Sequence, residues 1–257
     1  MAAAPTFIAM TATVTPAVGI GATARSDAAT RLAEYLEAFQ FYLSLPDELV
    51  QGLVLLENSG HDLTPFTELA RALGTRKQIH CLPVSPDYPA QRGKGYGEFL
   101  MLDRGLAQLR TAGVPGDARL WKVTGRLIVR NMAAMVHSAP AHFALYADFR
   151  HVPLIGHRLG GNDWLELRLI AVTLDGYDRY LRGHFGDGYV LEHAFFARLR
   201  PLVERRAGAG DIVPRFRVQP EWQGRSGHSN QDYRSRGYRF KGALRAFTRR
   251  HLQFLWL

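Results

Sequence analysis

Apolar strand-like segments alternate with amphipathic helical segments along the first 150 residues, and this alternation constrains the fold more than any other feature. The strand-like segments are TFIAMTATV, LVLLENSG, QIHCLPV, ARLWKVT and HFALYADF. In the first helical segment, apolar side chains from Leu32 to Leu43 recur every three or four residues. Strands separated by such helices pair in parallel through right-handed crossovers. The sequence therefore predicts a single α/β domain with a mostly parallel sheet flanked by helices.

Further helices are expected over residues 65–73, 96–111 and 127–137, and the second half of the chain is less regular. WLELRLIAVTL is typical of a strand, Asp175 can cap a short helix, and YVLEHAFFARLRPLVERR predicts an amphipathic helix. We expect one domain over residues 1–240, followed by a basic amphipathic helix over 241–257.

The charge balance favours an anionic partner. The 257 residues carry 32 Lys and Arg against 23 Asp and Glu, a net charge of +9. A nucleotide, a phosphorylated lipid, a membrane face or a nucleic acid would suit this charge. The single cysteine, Cys81, excludes an internal disulfide framework and favours a reducing compartment. Since the sequence has neither a signal-peptide pattern nor about 18 consecutive apolar residues, we expect a cytoplasmic location.

Polar residues cluster where the predicted parallel strands end. In open α/β sheets the ligand crevice lies beyond the carboxyl ends of the strands. Strand-end turns are polar in many proteins, so each motif alone is weak, but their coincidence predicts a site at this edge. The residues concerned are Thr13 and Thr15, Glu57-Asn58-Ser59-Gly60, Lys122 to Arg126, and Asp148-Phe149-Arg150.

Two of these segments suit phosphate groups. Glycines 93, 95 and 97 open a helix whose accessible backbone N–H groups, with Lys94, could bind a phosphate. The segment fits neither the P-loop nor the dinucleotide fingerprint, and a flexible loop is the alternative. Lys122 and Arg126 could neutralise a diphosphate leaving group, as a metal ion often does. A solvent-facing lysine and a surface turn are the alternative there.

Glu192 is the candidate general base. It lies with His193 in the first turn of a predicted helix, where a carboxylate gains from the helix dipole and could accept a proton from a hydroxyl. Ordinary helix capping is the alternative, and Asp148 is a competing base. The ten histidines are scattered and form no metal-ligand motif, so no metal cofactor is expected.

The end of the sequence is strongly basic. No acidic residue follows Asp232, whereas arginines and Lys241 accumulate beside aromatic residues. The segment KGALRAFTRRHLQFLWL predicts a helix that could lie on an anionic membrane surface. Docking of this helix on the core is the alternative.

The motifs resemble, in order along the chain, a group of bacterial glycosyltransferases that build surface polysaccharides. The matching segments are TATVTP, LLENSGHDL, GKGYGEFLMLDRGL, WKVTGRLIVRN, VLEHAFF and QGRSGHSNQDY. The resemblance implies a GT-A-like, Rossmann-type fold that moves a sugar, most simply a hexose on UDP, to a lipid-linked or growing glycan. It also implies a nucleotide-sugar half over 1–137, an acceptor half over 138–240, and work at the inner face of the cytoplasmic membrane.

The resemblance also assigns the site residues. It implies a donor site made of Thr13, Glu57, Asn58, Ser59, Lys94, Gly95, Glu98, Thr124 and Gly125, and an acceptor site that includes His193 and Ser226. Lys122 and Arg126 would contact the diphosphate and sugar. Ordinary GT-A enzymes end the corresponding strand in Asp-x-Asp, whereas this chain has Lys-Val-Thr-Gly-Arg, so transfer without a metal is expected. Leu127 stands where this group leads us to expect a tyrosine.

The sequence thus predicts a metal-independent glycosyltransferase with no cofactor and no nucleic-acid partner. Two alternatives stay open. The first is a basic nucleic-acid-binding module whose C-terminal arginines and aromatics contact RNA or DNA. The second is a nucleotidyltransferase built on a related sheet.

Overall fold

A mixed seven-stranded sheet with helices on both faces organises the chain. The structure is a computed structural model that describes residues 4–16, 27–85, 87–89, 92–152, 163–186, 190–205, 211–225 and 236–251. Its strands are β1 (Thr6–Ala12), β2 (Gly52–Glu57), β3 (Gln78–Pro83), β4 (Arg119–Thr124), β5 (Ile128–Val129), β6 (Leu145–Arg150), β7 (Trp164–Thr173), β8 (Ile212–Val213) and β9 (Trp222–Gln223). Its helices are α1 (Ala28–Leu43), α2 (Thr64–Ala72), α3 (Gly93–Thr111), α4 (Met132–His137), α5 (Leu174–Tyr180), α6 (Leu191–Glu204) and α7 (Arg236–His251).

The strand order is β3-β2-β1-β4-β7-β6-β8, and β7 alone runs against its neighbours. The predicted α/β domain with a mostly parallel sheet is therefore confirmed. The antiparallel direction of β7 could not be predicted, because its apolar pattern fixes burial and leaves direction open. The short strands β5 and β9 pair separately.

Alternating side chains of the central strands build two apolar layers. Phe7 and Ala9 of β1 face a layer that includes side chains of α3, α5 and α6. Ile8 and Met10 face the opposite layer, which includes α1, α2 and α4. Both faces of the sheet are covered, which explains why β1 is an unbroken apolar segment.

Some helix boundaries differ from the expected ones. Thr173, rather than Asp175, caps α5, because its hydroxyl accepts the N–H of Gly176 at 2.9 Å and its backbone is extended. The expected helix over 127–137 divides into β5 and α4, and α7 begins at Arg236, before residue 241. Within the described segments, every helix falls short of the length and apolar character needed to cross a lipid bilayer.

Candidate active site

The carboxyl ends of the central parallel strands meet at one edge of the sheet. Thr11 of β1 pairs with Thr124 of β4, and the next residue of β1 pairs with Glu57 of β2. Helices α3 and α6 begin at the same edge: a Cβ added to Gly95 would lie 3.0 Å from Leu191 Cδ1. The strand-end motifs and the two helix starts therefore share one rim.

Glu57 ties together the loops that follow β1 and β2. Its buried carboxylate accepts the backbone N–H groups of Val14, Ser59 and His61 at 2.9–3.1 Å, and also the Ser59 hydroxyl. These donors all belong to the chain itself. The Glu57 carboxylate thus organises the rim, and the contact with a nucleotide that the resemblance implied stays a prediction.

Thr13 and Asn58 extend this network. The Thr13 hydroxyl donates to Asn58 Oδ1 at 2.6 Å, and the Asn58 backbone N–H donates to the Ala12 carbonyl at 3.1 Å. Asn58 is buried and Thr13 is half-buried. Together with Ser59 they form the wall of the rim, and direct contact with a donor stays a prediction.

Lys122 is the main correction to the sequence-based site. Its side chain is only 2% exposed, and its Nζ lies 2.8 Å from Glu98 Oε1 and 2.6 Å from the carbonyl oxygen of Leu167. Residues at alternate positions of a strand share a face, and this position of β4 faces α3, which supplies Glu98. Its ammonium is engaged by Glu98 and the Leu167 carbonyl, so we assign Lys122 to positioning these groups rather than to direct contact with a diphosphate.

Glu98 is held in its charged form. The hydroxyl of Thr11 donates to Oε1 at 2.7 Å and that of Thr124 at 3.3 Å. Burial by itself raises the pKa of Glu98, but the Lys122 ammonium and the two hydroxyls outweigh it and hold that pKa below its ordinary value. Glu98 is thus the centre of a polar cluster that fixes the ends of β1 and β4 against α3.

Gly125 makes the junction between β4 and β1 possible. Its backbone N–H donates to the Thr11 carbonyl at 3.0 Å, and an added Cβ would lie 2.3 Å from that carbonyl oxygen. A larger residue would force the two strand ends apart. Gly125 therefore shapes the rim through close backbone packing.

Three cations gather beyond these strand ends. Arg31, Lys94 and Arg126 interact electrostatically: burial lowers the pKa of Lys94, and Arg31 and Arg126 lower it further. Burial likewise lowers the pKa of Arg31, and Arg126 adds to the effect. Like charges that repel each other at a rim are stabilised when an anion binds between them. Two of the three, Lys94 and Arg126, were predicted from the sequence.

Arg31 was missed by the sequence analysis. It is buried on α1, where Nε donates to the Thr13 carbonyl at 2.9 Å and Nη2 to the Tyr35 hydroxyl at 3.2 Å. Arg126 is oriented from the same helix, since its Nη1 lies 2.7 Å from Glu34 Oε2. One feature of the sequence could have revealed it: Arg31 precedes Tyr35 by one helical turn and so lies on the apolar face of the predicted helix.

Glu192 lies across the rim in the first turn of α6, as expected. It is half-buried, and burial raises its pKa above the ordinary value. The nearby carboxylates of Glu166 and Glu98 raise that pKa further, whereas Lys122 opposes them. A carboxylate with raised proton affinity at an accessible edge has the properties of a general base.

His193 is exposed beside Glu192. Its Nδ1 donates to the Asp163 carbonyl at 2.7 Å, and its ring lies edge-on against Trp164. Its outward position is compatible with acceptor contact. Ser226, the other expected acceptor residue, lies outside the described residues.

Asp148 does not have the position expected of a competing base. Its buried carboxylate accepts both terminal nitrogens of Arg249, one at 2.8 Å, and the Phe216 N–H at 2.9 Å. The ion pair joins β6 to α7 inside the protein. A paired and buried carboxylate has no access to an acceptor hydroxyl, so Asp148 is structural.

Metal-binding groupings were sought across the described ranges. There, no cluster of three or more His, Cys, Asp or Glu side chains is arranged to hold a metal ion.

Comparison with known proteins gives structural likeness only. No protein-family model matches the sequence, and no curated protein matches it. Among solved structures, galactosyltransferase LgtC in complex with donor and acceptor sugar analogues is 12% identical, with a TM-score of 0.43 over 74% of this chain and 69% of that one. The inositol-1-phosphate CTP transferase of T. maritima is 14% identical, with a TM-score of 0.44 over 84% and 86%. The bifunctional glycosyltransferase WbbM is 9% identical, with a TM-score of 0.47; the match covers 96% of this chain and 44% of WbbM.

Proposed function

We propose that this chain transfers a sugar from a nucleotide diphospho-sugar to a hydroxyl group of a glycan. The observation that supports this most is the placement of three cations at the rim: Arg31 contacts the Thr13 carbonyl after β1, Arg126 follows the end of β4, and Lys94 lies in the first turn of α3. The exposed Lys94 would contact the diphosphate directly, whereas the buried Arg31 and the Glu34-paired Arg126 would stabilise it through their positive charge. The amino end of α3, which carries Lys94, adds the positive end of a helix dipole.

The three cations would act when the bond to the sugar breaks. At that moment negative charge develops on the departing diphosphate, and cations already in place stabilise it without reorganisation. This is the electrostatic work that a metal ion does in many transferases, so we propose metal-independent transfer. Lys122 contributes indirectly: it pairs with Glu98, which holds the end of β4 in place through Thr124.

Glu192 is the proposed general base for an inverting reaction. The acceptor oxygen bonds to the anomeric carbon, the bond from that carbon to the diphosphate breaks, and its electron pair leaves with the diphosphate. The acceptor proton passes to the Glu192 carboxylate. In a retaining reaction Glu192 would instead bind the acceptor, beside His193. We further propose a UDP-linked hexose, a lipid-linked or growing surface glycan, and a cytoplasmic site of action.

Nucleotide binding tests the proposal directly. Thermal unfolding is followed with UMP, UDP and a panel of nucleotide sugars, each with and without a chelator. We expect diphosphate ligands to raise the melting temperature more than UMP, with no effect of chelation. Lys94→Ala and Arg126→Ala should remove most of the shift. Arg76→Ala, an exposed arginine paired with Asp47 away from the rim, is the matched control and should retain it.

Two outcomes would contradict the proposal. Release of inorganic diphosphate from a nucleoside triphosphate, dependent on a divalent ion, would indicate nucleotidyl transfer. Salt-sensitive binding of RNA or DNA that is lost on deletion of residues 234–257, with no nucleotide-sugar binding, would indicate a nucleic-acid-binding module.

A further inference from the structure

Over residues 242–251, where its side chains are described, helix α7 has the reverse of the usual arrangement of polar and apolar side chains. In this part of the helix the two buried residues, Thr248 and Arg249, are polar. The residues that face outward are apolar: Leu244 is 50% exposed and Phe247 is 57% exposed. Ala243 and Ala246, on the same outer side, are also exposed. A helix on the surface of a globular protein normally turns its apolar face to the core.

Specific contacts fix this orientation. Arg249 forms the buried ion pair with Asp148, and it also donates to the Phe216 carbonyl and to Gln219 Oε1, both at 2.8 Å. The Thr248 hydroxyl accepts a hydrogen bond from Arg215 Nη2 at 3.3 Å. Turning the helix to bury Leu244 and Phe247 would break these contacts and expose a buried charge pair. The outer apolar face is therefore a stable feature of the fold.

The charge of α7 restricts what can cover this face. The helix sequence contains six lysines and arginines and no acidic residue. Arg250 is exposed one turn after Phe247, so a cation borders the apolar surface. A second copy of the chain would bring an equally basic helix against this one, and the like charges would repel. The complementary surface is therefore anionic at its boundary and apolar just below it, which describes an acidic lipid bilayer.

We propose that α7 docks the protein on an anionic lipid bilayer, with Leu244 and Phe247 inserted below the headgroups and Arg250 among the phosphates. The ion pair between Arg249 and Asp148 would set the orientation of the whole domain on that surface. The proposal is independent of the sugar-transfer proposal, because neither the rim nor its cations take part in it.

Vesicle flotation tests the membrane proposal with the full chain. Vesicles of phosphatidylcholine alone are compared with vesicles that also contain phosphatidylglycerol, and we expect binding to require the anionic lipid. Leu244→Ser and Phe247→Ser should each weaken binding by roughly tenfold, since each removes apolar area from the membrane contact. Arg250→Ala should weaken it by roughly fivefold on anionic vesicles only. Leu73→Ser, which changes another leucine of 48% exposure on a different helix end, should have no effect.

The unfolding curve and the nucleotide binding of each variant are measured to test whether its fold and its rim are intact. Three results would overturn the proposal: equal binding to neutral and anionic vesicles, unchanged binding of Leu244→Ser and Phe247→Ser, or a dimer in solution that dissociates on Phe247→Ser. If the wild-type protein binds no nucleotide, this would count against the sugar-transfer proposal and leave the membrane proposal unaffected.

Discussion

Removing the charge of Glu98 should destabilise the protein, because the buried ammonium of Lys122 would lose its carboxylate partner. Lys122 is 2% exposed and Glu98 Oε1 is its only carboxylate partner among the contacts described above. Breaking a buried pair from one side costs about 3–5 kcal/mol, because the remaining charge is left uncompensated. Glu98→Gln keeps an acceptor oxygen for the Thr11 hydroxyl, so we expect a cost near the lower end, about 3 kcal/mol.

A double-mutant cycle separates the pair from its surroundings. Lys122→Met alone leaves a carboxylate that keeps two hydroxyl donors, so it should cost about 1–3 kcal/mol. Combining Glu98→Gln with Lys122→Met removes both charges and should cost much less than the two single changes added together. Urea unfolding at neutral pH measures each free energy of unfolding. Glu68→Gln, on the exposed side of α2, is the matched control and should change little.

The pH dependence gives a second test of the same pair. The pKa of Glu98 is lower in the folded protein than the ordinary value of about 4.3 expected after unfolding. Its charge therefore contributes stability that is fully present above the ordinary value and is lost as the pH falls through the folded value. The stability gap between wild type and Glu98→Gln should narrow as the solution is acidified. A gap that stays constant with pH, or strictly additive single changes, would refute the pairing argument.

Three further predictions concern the base, the strand junction and the terminal helix. Because a base must be deprotonated, the raised pKa of Glu192 should make kcat/KM fall on the acid side at a higher pH than an ordinary glutamate would. Glu192→Gln should lower the rate by about 10²–10⁴-fold. A fall of kcat/KM at the pH of an ordinary glutamate would contradict this assignment. Gly125→Ala should lose about 1–3 kcal/mol in urea unfolding through overpacking, whereas Gly242→Ala, with open space around it, should gain up to about 1 kcal/mol; equal effects would disprove the close-approach argument. Arg249→Met should leave Asp148 unpaired and speed hydrogen exchange in α7, an effect that unchanged protection would exclude.

The sequence was sufficient to predict the layers of the fold because burial leaves a periodic pattern. The apolar residues of β1 and the alternation of strands and helices required a sheet covered on both faces, which the structure confirms. The direction of a strand leaves no such pattern in the sequence. Strand β7 is as apolar as a parallel strand but runs antiparallel to β4 and β6. The cap of α5 also depended on backbone angles that the sequence does not display, so Thr173 took the place expected for Asp175.

The candidate site was predictable as an edge of the sheet and less so as a set of partners. Lys94 and Arg126 were located from their motifs, but the sequence could not show that α3 brings Glu98 against Lys122. That contact depends on the rotation of a helix over a strand, and it joins residues that are 24 positions apart in sequence. Arg31 escaped attention because an arginine on an apolar helix face has no motif, and its proximity to Lys94 exists only in three dimensions.

The Glu57 carboxylate has a consequence for how the rim can respond to a ligand. It accepts hydrogen bonds from Val14 after β1 and from Ser59 and His61 after β2, and these bonds restrict the motion of the two segments relative to each other. An incoming molecule meets a surface whose conformational entropy has already been lost during folding, which favours tight association. Among the described residues of the rim, we therefore expect induced fit on the opposite side, where α6 begins.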